Sequence, residues 1–298
     1  MTAEDRTEPA ARDLVDESRP HFREPGRGRP VRVYDWAPEN TGSGAPLVVI
    51  SHGTGGSGKE MGWLARPLAA AGFSVLSLDH HGNSYVDGYL PEGFLFAWER
   101  PRDISFVLDT LGLGHERVGV AGFSIGGYTA AALTGPRLDP DAVAAILAGR
   151  VPLPPIDQLP DAFEQLRETY SPYALAAVAQ SSGTDVSDPR VAAAFLVSPG
   201  MGALLTRESL GGVRVPVEVR WGDADATNPF ERDVRPYVEL IPGAGGSAVG
   251  PGVDHADFIA AFTPDRTVAR DQVAVDAVRF FEQHLRRDRL ARSLVRDH

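Results

Sequence analysis

Short apolar runs alternate with amphipathic stretches along most of this chain. Pro46–Ile50 is continuously apolar, as expected of a central parallel strand covered on both faces. Helical spacing follows over Glu60–Ala71, and Gly72 stands at the position that stops a helix in the left-handed conformation. Phe73–Leu78 reads as the next strand. Pro101 opens a helix through Ile104, Phe106, Val107 and Leu111, and Val118 begins another strand. Upstream, Arg29–Trp36 alternates as a strand with its proline confined to the start. Ala11–Asp16 reads as a short edge strand, Arg19 to Arg29 as a loop, and residues 1 to about 10 as disordered. Downstream, Val191–Val197 and Val215–Trp221 are two more strands, and Tyr237–Ile241 reads as the last. The chain closes on an amphipathic helix, roughly Val268 to Leu285, with Val273, Val275, Val278, Phe281 and Leu285 on its inner face.

This alternation predicts an α/β fold, a mostly parallel doubly wound sheet with helices on both faces. Its ligand site is expected at the carboxyl ends of the strands. One domain over 11–298 accounts for the pattern, without internal repeats. Residues 150–190 break the alternation: Arg150–Ile156 is proline-rich, Asp161–Tyr170 reads as a helix, and Ser182–Ser187 is polar. Long irregular connections at strand tips are usually functional, so this segment is expected to be a small lid inserted over the cleft.

Composition narrows the chemistry. At 298 residues, 43% hydrophobic and 23% charged, the chain has ample core for one large domain. A net charge of −11 argues against a nucleic-acid partner and leaves no basic patch for anionic lipid. The absence of cysteine removes disulfides, thiolate metal sites and a cysteine nucleophile. No run approaches the eighteen or so apolar residues of a membrane span. The acidic N-terminus carries no apolar leader region, so the expected location is the cytoplasm.

Within this frame, Val118–Gly127 stands out. A buried strand turns sharply through Gly122-Phe123-Ser124-Ile125-Gly126 into the helical run Tyr128–Leu133. This is G-x-S-x-G in the strand–turn–helix context that gives the pattern meaning. The glycines allow close approach of strand and helix, and Ser124 projects from the sheet top beside a helix N-terminus. Directly after the Pro46 strand comes Ser51-His52-Gly53-Thr54-Gly55-Gly56-Ser57. A serine nucleophile needs two backbone N–H donors for its oxyanion, and the N–H groups of Ile125 and Thr54 fill these roles. His52 is expected to brace the loop by hydrogen bonding.

An acid and a base follow the serine in chain order. Trp221–Pro229 offers Asp223 and Asp225 after a strand. Asp225, further out, is better placed to meet a histidine, and Asp223 reads as a loop cap. His255 lies in Gly250–Phe258, between the last strand and the last helix, as a base requires. His21, His115, His284 and His298 sit in loops, helix ends or the terminus. His80 and His81 could line the cleft but precede the serine. Tyr85, Tyr89, Phe94, Phe96 and Trp98, with Leu153 and Ile156 at the start of the lid, supply an expected apolar pocket.

Together these features resemble an α/β-hydrolase of the dienelactone-hydrolase-like group, in the branch similar to bacterial relatives of platelet-activating-factor acetylhydrolase. The resemblance is carried by Ser51–Ser57, Arg100–Asp109, Gly122–Gly127 and Asp254–Phe258, and spans roughly residues 11 to 286. Dienelactone hydrolases proper use a cysteine where this chain has Ser124. The animal acetylhydrolases carry their acid one strand earlier, where this chain reads Leu196–Gly200 with no acid. The expectation is a serine hydrolase of neutral, fairly apolar small-molecule carboxylic esters, acting through an acyl-enzyme without metal or cofactor. Amide, thioester or polyester hydrolysis, C–C bond cleavage on the same triad, or a non-catalytic binding protein of this fold are the alternatives. The residues leave the oligomeric state open.

Overall fold

The glycine-rich loop and the serine turn both leave the middle of one sheet. A computed structural model describes residues 8–36, 44–112, 117–153 and 155–286. Residues 1–7 of the expected disordered start, together with His115 and His298, lie outside the described residues. The strands of the main sheet are β1 (Ala10–Pro20), β2 (Gly28–Trp36), β3 (Leu47–Ser51), β4 (Ser74–Asp79), β7 (Val118–Phe123), β8 (Val191–Val197), β9 (Val217–Trp221) and β10 (Gly245–Ala248). A small separate hairpin is made by β5 (Asn83–Ser84) and β6 (Gly88–Tyr89). The sheet order is β1-β2-β4-β3-β7-β8-β9-β10, with β1/β2 and β2/β4 antiparallel and the rest parallel.

Strand alternation divides the core in two. Leu47, Val49, Val118 and Val120 face one layer, and Val48, Ile50, Ala121 and Phe123 the other. The first layer is covered by α3 (Arg100–Leu111), α4 (Ile125–Ala132) and α5 (Pro140–Leu147). The second is covered by α1 (Gly62–Ala70) and α10 (Val268–Phe281). Helix α1 buries Leu64, Ala65, Leu68 and Ala69, a single stripe at helical spacing. Gly72 follows it at φ 86°, the left-handed stop that its position predicts. Each fully buried aliphatic side chain contributes about 1.5–3 kcal/mol, so these faces hold the sheet rigid beneath its loops. The remaining helices are α2 (Pro91–Leu95), α6 (Ala162–Thr169), α7 (Pro172–Ser181), α8 (Arg207–Gly211) and α9 (Arg235–Leu240). Among the described residues no helix is long and apolar enough to cross a membrane.

Several expectations change. The edge strand is longer than Ala11–Asp16. Its exposed positions pair with β2 through Arg12–Asp35 and Arg32–Asp13, charges that protect a sheet edge. Tyr237–Ile241 is not the last strand. Pro236 sits in the first turn of helix α9, and Tyr237 and Ile241, four apart, share its buried side. The strand beyond it, Gly245–Ala248, has no apolar run to announce it. On α10, Val275 is 46% exposed, while Ala269, Ala274, Ala277 and Phe280 join Val273 and Phe281 inside. Three alanines share the inner face with Val273 and the two phenylalanines, and alanine carries little of the apolar signal that marks a helix face.

Candidate active site

The turn after β7 is strained and locked. Ser124 takes φ 57° and ψ −122°, a region that side-chain-bearing residues seldom occupy. Its N–H donates to Val197 O at 2.9 Å, and its carbonyl accepts from the Gly127 and Gly200 N–H groups at 2.9 and 3.1 Å. The neighbouring glycines are obligatory. A Cβ at Gly122 would lie 2.0 Å from Gly126 O, and one at Gly126 would lie 2.2 Å from Ser51 O. Strand, turn and helix therefore approach closely enough to hold the serine in place.

Two loops at the same sheet edge complete the group. The His255 ring presents Nε2 at 3.1 Å from Ser124 Oγ and Nδ1 at 2.7 Å from Asp225 Oδ2. The other oxygen of Asp225 accepts the Asn228 N–H at 2.8 Å, so its buried carboxylate is held from both sides. His255 begins a short helical turn whose cap, Asp254, accepts from Ala256 and Asp257, while Asp257 bonds back to the Asp254 N–H. The Phe123 ring lies 4.7 Å from the imidazole. Asp223 points elsewhere, accepting the Gly252 N–H at 2.8 Å and tying the two loops together. The structure thus brings Ser124, Asp225 and His255 together and leaves Asp223 out.

The loop after β3 lies against the serine turn. His52 accepts the His80 N–H on Nε2 at 3.2 Å, which puts its proton on Nδ1, 2.6 Å from Gly53 O. Complete burial, reinforced by the Arg100 charge, holds this imidazole neutral, well below its ordinary value. The Gly55 N–H donates to Asn83 Oδ1 at 2.9 Å, and Gly55 O accepts from Tyr89 Oη at 2.8 Å. Between these anchors, the Thr54 N–H has no protein acceptor among the described residues. Ile125, at the first position of α4, has an N–H with no helical acceptor. Asp79 closes the far end of the loop, accepting from Ser57 and Gly58 at 2.7 Å each and from Tyr34 at 2.8 Å.

A cleft of about 190 Å³ opens beside these groups. Its walls are His52 to Gly56, Glu60, Met61, Trp63, Tyr85, Tyr89, Phe123, Gln158, Phe258 to Ala260 and Phe262. Of the pocket residues expected from sequence, Tyr85 and Tyr89 are on this wall. Phe94 is buried behind Tyr89, with ring centres 5.3 Å apart. Phe96 and Trp98 stack on each other in the core, 44% of Leu153 faces solvent, and Ile156 is half-buried. None of these four borders the cleft. The segment 150–190 reaches it through Gln158, whose side chain crosses Gly55. His80 and His81 are buried below the loop and do not face the cleft.

The wall residues missed from sequence follow two rules. Glu60, Met61 and Trp63 come directly after the glycine loop, at a strand's carboxyl end. Phe258 closes the short helical turn that His255 opens, and Phe262 lies in the turn that follows it. Asn228, whose Nδ2 is 3.4 Å from Ser124 Oγ, carried no motif at all.

Comparison with known proteins fits this architecture. A family model of the alpha/beta hydrolase fold matches residues 46–199, more than half of the chain, and the chain belongs to that family. The native structure of a thermophilic esterase, Est2, from the planctomycete Thermogutta terrifontis superposes with a TM-score of 0.58 at 16% identity. The match covers 94% of this chain and 95% of that one. The same esterase phosphorylated by paraoxon gives 0.56 at 16% identity, over 92% and 94% of the two chains. A ferulic acid esterase from Streptomyces cinnamoneus gives 0.58 at 20% identity, over 93% and 89%. At these identities the likeness is one of fold. No curated protein matches the chain.

Proposed function

We propose that the protein is a serine hydrolase of small carboxylic esters, with Ser124 as nucleophile, His255 as base and Asp225 as its orienting acid. The observation that carries this reading is the unbroken line of contacts from Ser124 Oγ to His255 Nε2 and from Nδ1 to Asp225. Asp225 accepts a hydrogen bond from Nδ1–H, which keeps the proton on Nδ1 and leaves the Nε2 lone pair free to take the Ser124 proton as Oγ attacks the ester carbonyl. The imidazolium so formed is stabilised by the buried carboxylate. The N–H groups of Thr54 and Ile125 receive the oxyanion. His255 then returns the proton to the leaving alcohol, and water releases the acyl-enzyme by the same steps in reverse roles.

The aromatic wall and modest volume of the cleft favour small, fairly apolar esters over long lipids. Two structurally similar proteins are esterases, and one of them has been captured phosphorylated by paraoxon, which agrees with the reading. The subgroup that suits the chain best is the dienelactone-hydrolase-like one, with bacterial relatives of platelet-activating-factor acetylhydrolase. Residues 150–190 act in this reading as a lid, with Gln158 as their contact to the cleft.

Labelling by a fluorophosphonate probe, followed by a p-nitrophenyl ester panel from acetate to palmitate, tests the proposal. We expect labelling at Ser124 and turnover weighted to the short esters. A chain that takes no label and turns over no ester is a binding protein of this fold.

A further inference from the structure

Behind the loop after β3 lies a buried guanidinium that the mechanism above does not use. Arg100, at the start of α3, is 2% exposed. Its Nη2 bonds His52 O and, at 3.3 Å, Ser51 Oγ. Its Nη1 donates to Asn83 Oδ1 at 3.0 Å, the same oxygen that accepts the Gly55 N–H at 2.9 Å. Its Nε donates to Thr129 Oγ1 at 3.1 Å, and that hydroxyl in turn bonds Ile125 O at 2.9 Å. One rigid fork thus grips residue 52, residue 55 through Asn83, and residue 125 through Thr129. Thr54 lies between the first two, and Ile125 is the third.

We propose that Arg100 is the positioning residue of the oxyanion hole, fixing the separation of the Thr54 and Ile125 N–H donors and placing a positive charge behind them. This assignment rests on the serine-esterase reading. A planar guanidinium can hold acceptors in three directions at once, which an ammonium cannot do. Its charge is not cancelled locally. Among the described residues no carboxylate lies within ion-pair distance of Arg100. Asp103, its nearest acidic influence, is taken by Arg19 at 2.6 Å and by His80 at 2.8 Å. Burial lowers the guanidinium to about 9, which leaves it cationic at neutral pH. A fixed cation in a dry region favours negative charge that develops on the far side of the loop, and acts more strongly on the oxyanion than on the neutral ester.

The test separates positioning from mere support. Arg100→Met removes the fork and its charge. Asn83→Ala and Thr129→Val each cut one arm and leave the charge in place. Active sites are counted by end-point titration with a fluorophosphonate, and kcat and KM for p-nitrophenyl acetate are taken per titrated site. Loss of one oxyanion donor costs about 10²–10³-fold in kcat. Arg100→Met is expected to approach that loss, each single-arm variant to lose about tenfold, and KM to stay within about threefold. A trifluoromethyl ketone, which binds as a tetrahedral oxyanion, should weaken in step with kcat, while inhibition by the product acetate should not move. If Arg100→Met does not fold, the two arm variants decide. Per-site kcat and ketone affinity within twofold of wild type, with fewer active sites or a lower Tm, would overturn the assignment and leave Arg100 a structural residue. A wild type that takes no fluorophosphonate brings down the esterase reading and this assignment together. A labelled wild type with unaffected variants brings down this assignment alone.

Discussion

Asn228 sets its side-chain amide 3.4 Å from the Ser124 hydroxyl and donates to Ser198 O at 2.8 Å. Its backbone N–H meanwhile holds Asp225 at 2.8 Å. One residue therefore spans the acid, the nucleophile and the loop after β8, where Ser198 has φ 39° and Met201 φ 64°. Asn228→Ala keeps the backbone bond and removes the amide, leaving Ser198 O without that donor. Such a loss costs about 1–3 kcal/mol of stability. We expect that loss in urea unfolding, with kcat on p-nitrophenyl acetate lowered about tenfold. An unchanged kcat would make Asn228 a loop brace only.

The strain at Ser124 makes a second prediction. Both Ser124→Ala and Ser124→Gly should lower kcat by about 10⁴ to 10⁶. Only glycine also relieves the backbone at φ 57°. The relief is worth about 1–3 kcal/mol, less the extra entropy glycine loses on folding, about 0.5–1 kcal/mol. The Gly variant should therefore unfold at higher urea than the Ala variant. Equal midpoints would show that the turn stores no strain.

Much of this was legible in the sequence, for reasons tied to particular residues. The strands β3 and β8 are buried on both faces, so their runs are apolar throughout. The serine turn needs glycine on both sides, so its pattern is rigid. What stayed hidden lacks such constraints. Strand β10 is a largely exposed edge of glycine, serine and alanine, held by backbone pairing to β9. Arg100 was visible as part of a family motif, but its role depends on Asn83 and Thr129, which no spacing connects to it. The aromatic cluster Phe94 to Trp98 has the composition of a pocket wall and the environment of a core, and sequence alone does not separate the two.

Asp225→Asn and Asp223→Asn should differ sharply. Asp225 accepts a hydrogen bond from the Nδ1–H of His255, and an amide there permits the wrong tautomer. The expected loss in kcat is about 10² to 10⁴. Asp223 binds only the Gly252 N–H at the rim, and an asparagine Oδ1 can accept the same bond. Its replacement should change kcat by less than about threefold. Reversed effects would assign the acid to Asp223.

Acid should weaken the fold through the buried histidines. His81 packs on Phe22, with ring centres 5.0 Å apart, and its buried Nδ1 has no hydrogen-bond partner among the described residues. Burial pushes it down to about 3, and burial beside Arg100 pushes His80 down to about 4. An exposed imidazole in the unfolded chain titrates near 6.5. Between the two values the unfolded chain binds more protons, so stability rises with pH and is lost as pH falls from about 6.5. Each histidine can contribute up to about 1.4 kcal/mol per pH unit in that window. His81→Phe keeps the stacked ring and removes the proton site. Urea unfolding between pH 6.5 and 4.5 should show a slope about 1 kcal/mol per pH unit shallower than wild type, and parallel slopes would remove His81 from the account.

Substrate size should be sorted by the wall beyond His255. Phe262 borders the cleft yet is 69% exposed, so it contributes little to the core and its removal should leave the fold intact. Leu153 is also exposed but lies off the cleft, which makes it the matched control. A buried methylene is worth about 0.8 kcal/mol, about fourfold in a binding constant. An acyl or alcohol chain that covers the Phe262 ring recovers such increments one carbon at a time. Phe262→Ala should therefore flatten the rise of kcat/KM from p-nitrophenyl acetate to butyrate by a factor of a few to ten. The acetate value, set by the serine, histidine and oxyanion donors, should stay within about twofold. Leu153→Ala should leave the whole series unchanged. If Leu153→Ala flattens it and Phe262→Ala does not, the segment 150–190 forms the acyl wall and the cleft beside His255 takes the alcohol. If Phe262→Ala lowers every ester equally, the ring supports the histidine loop and does not read the substrate.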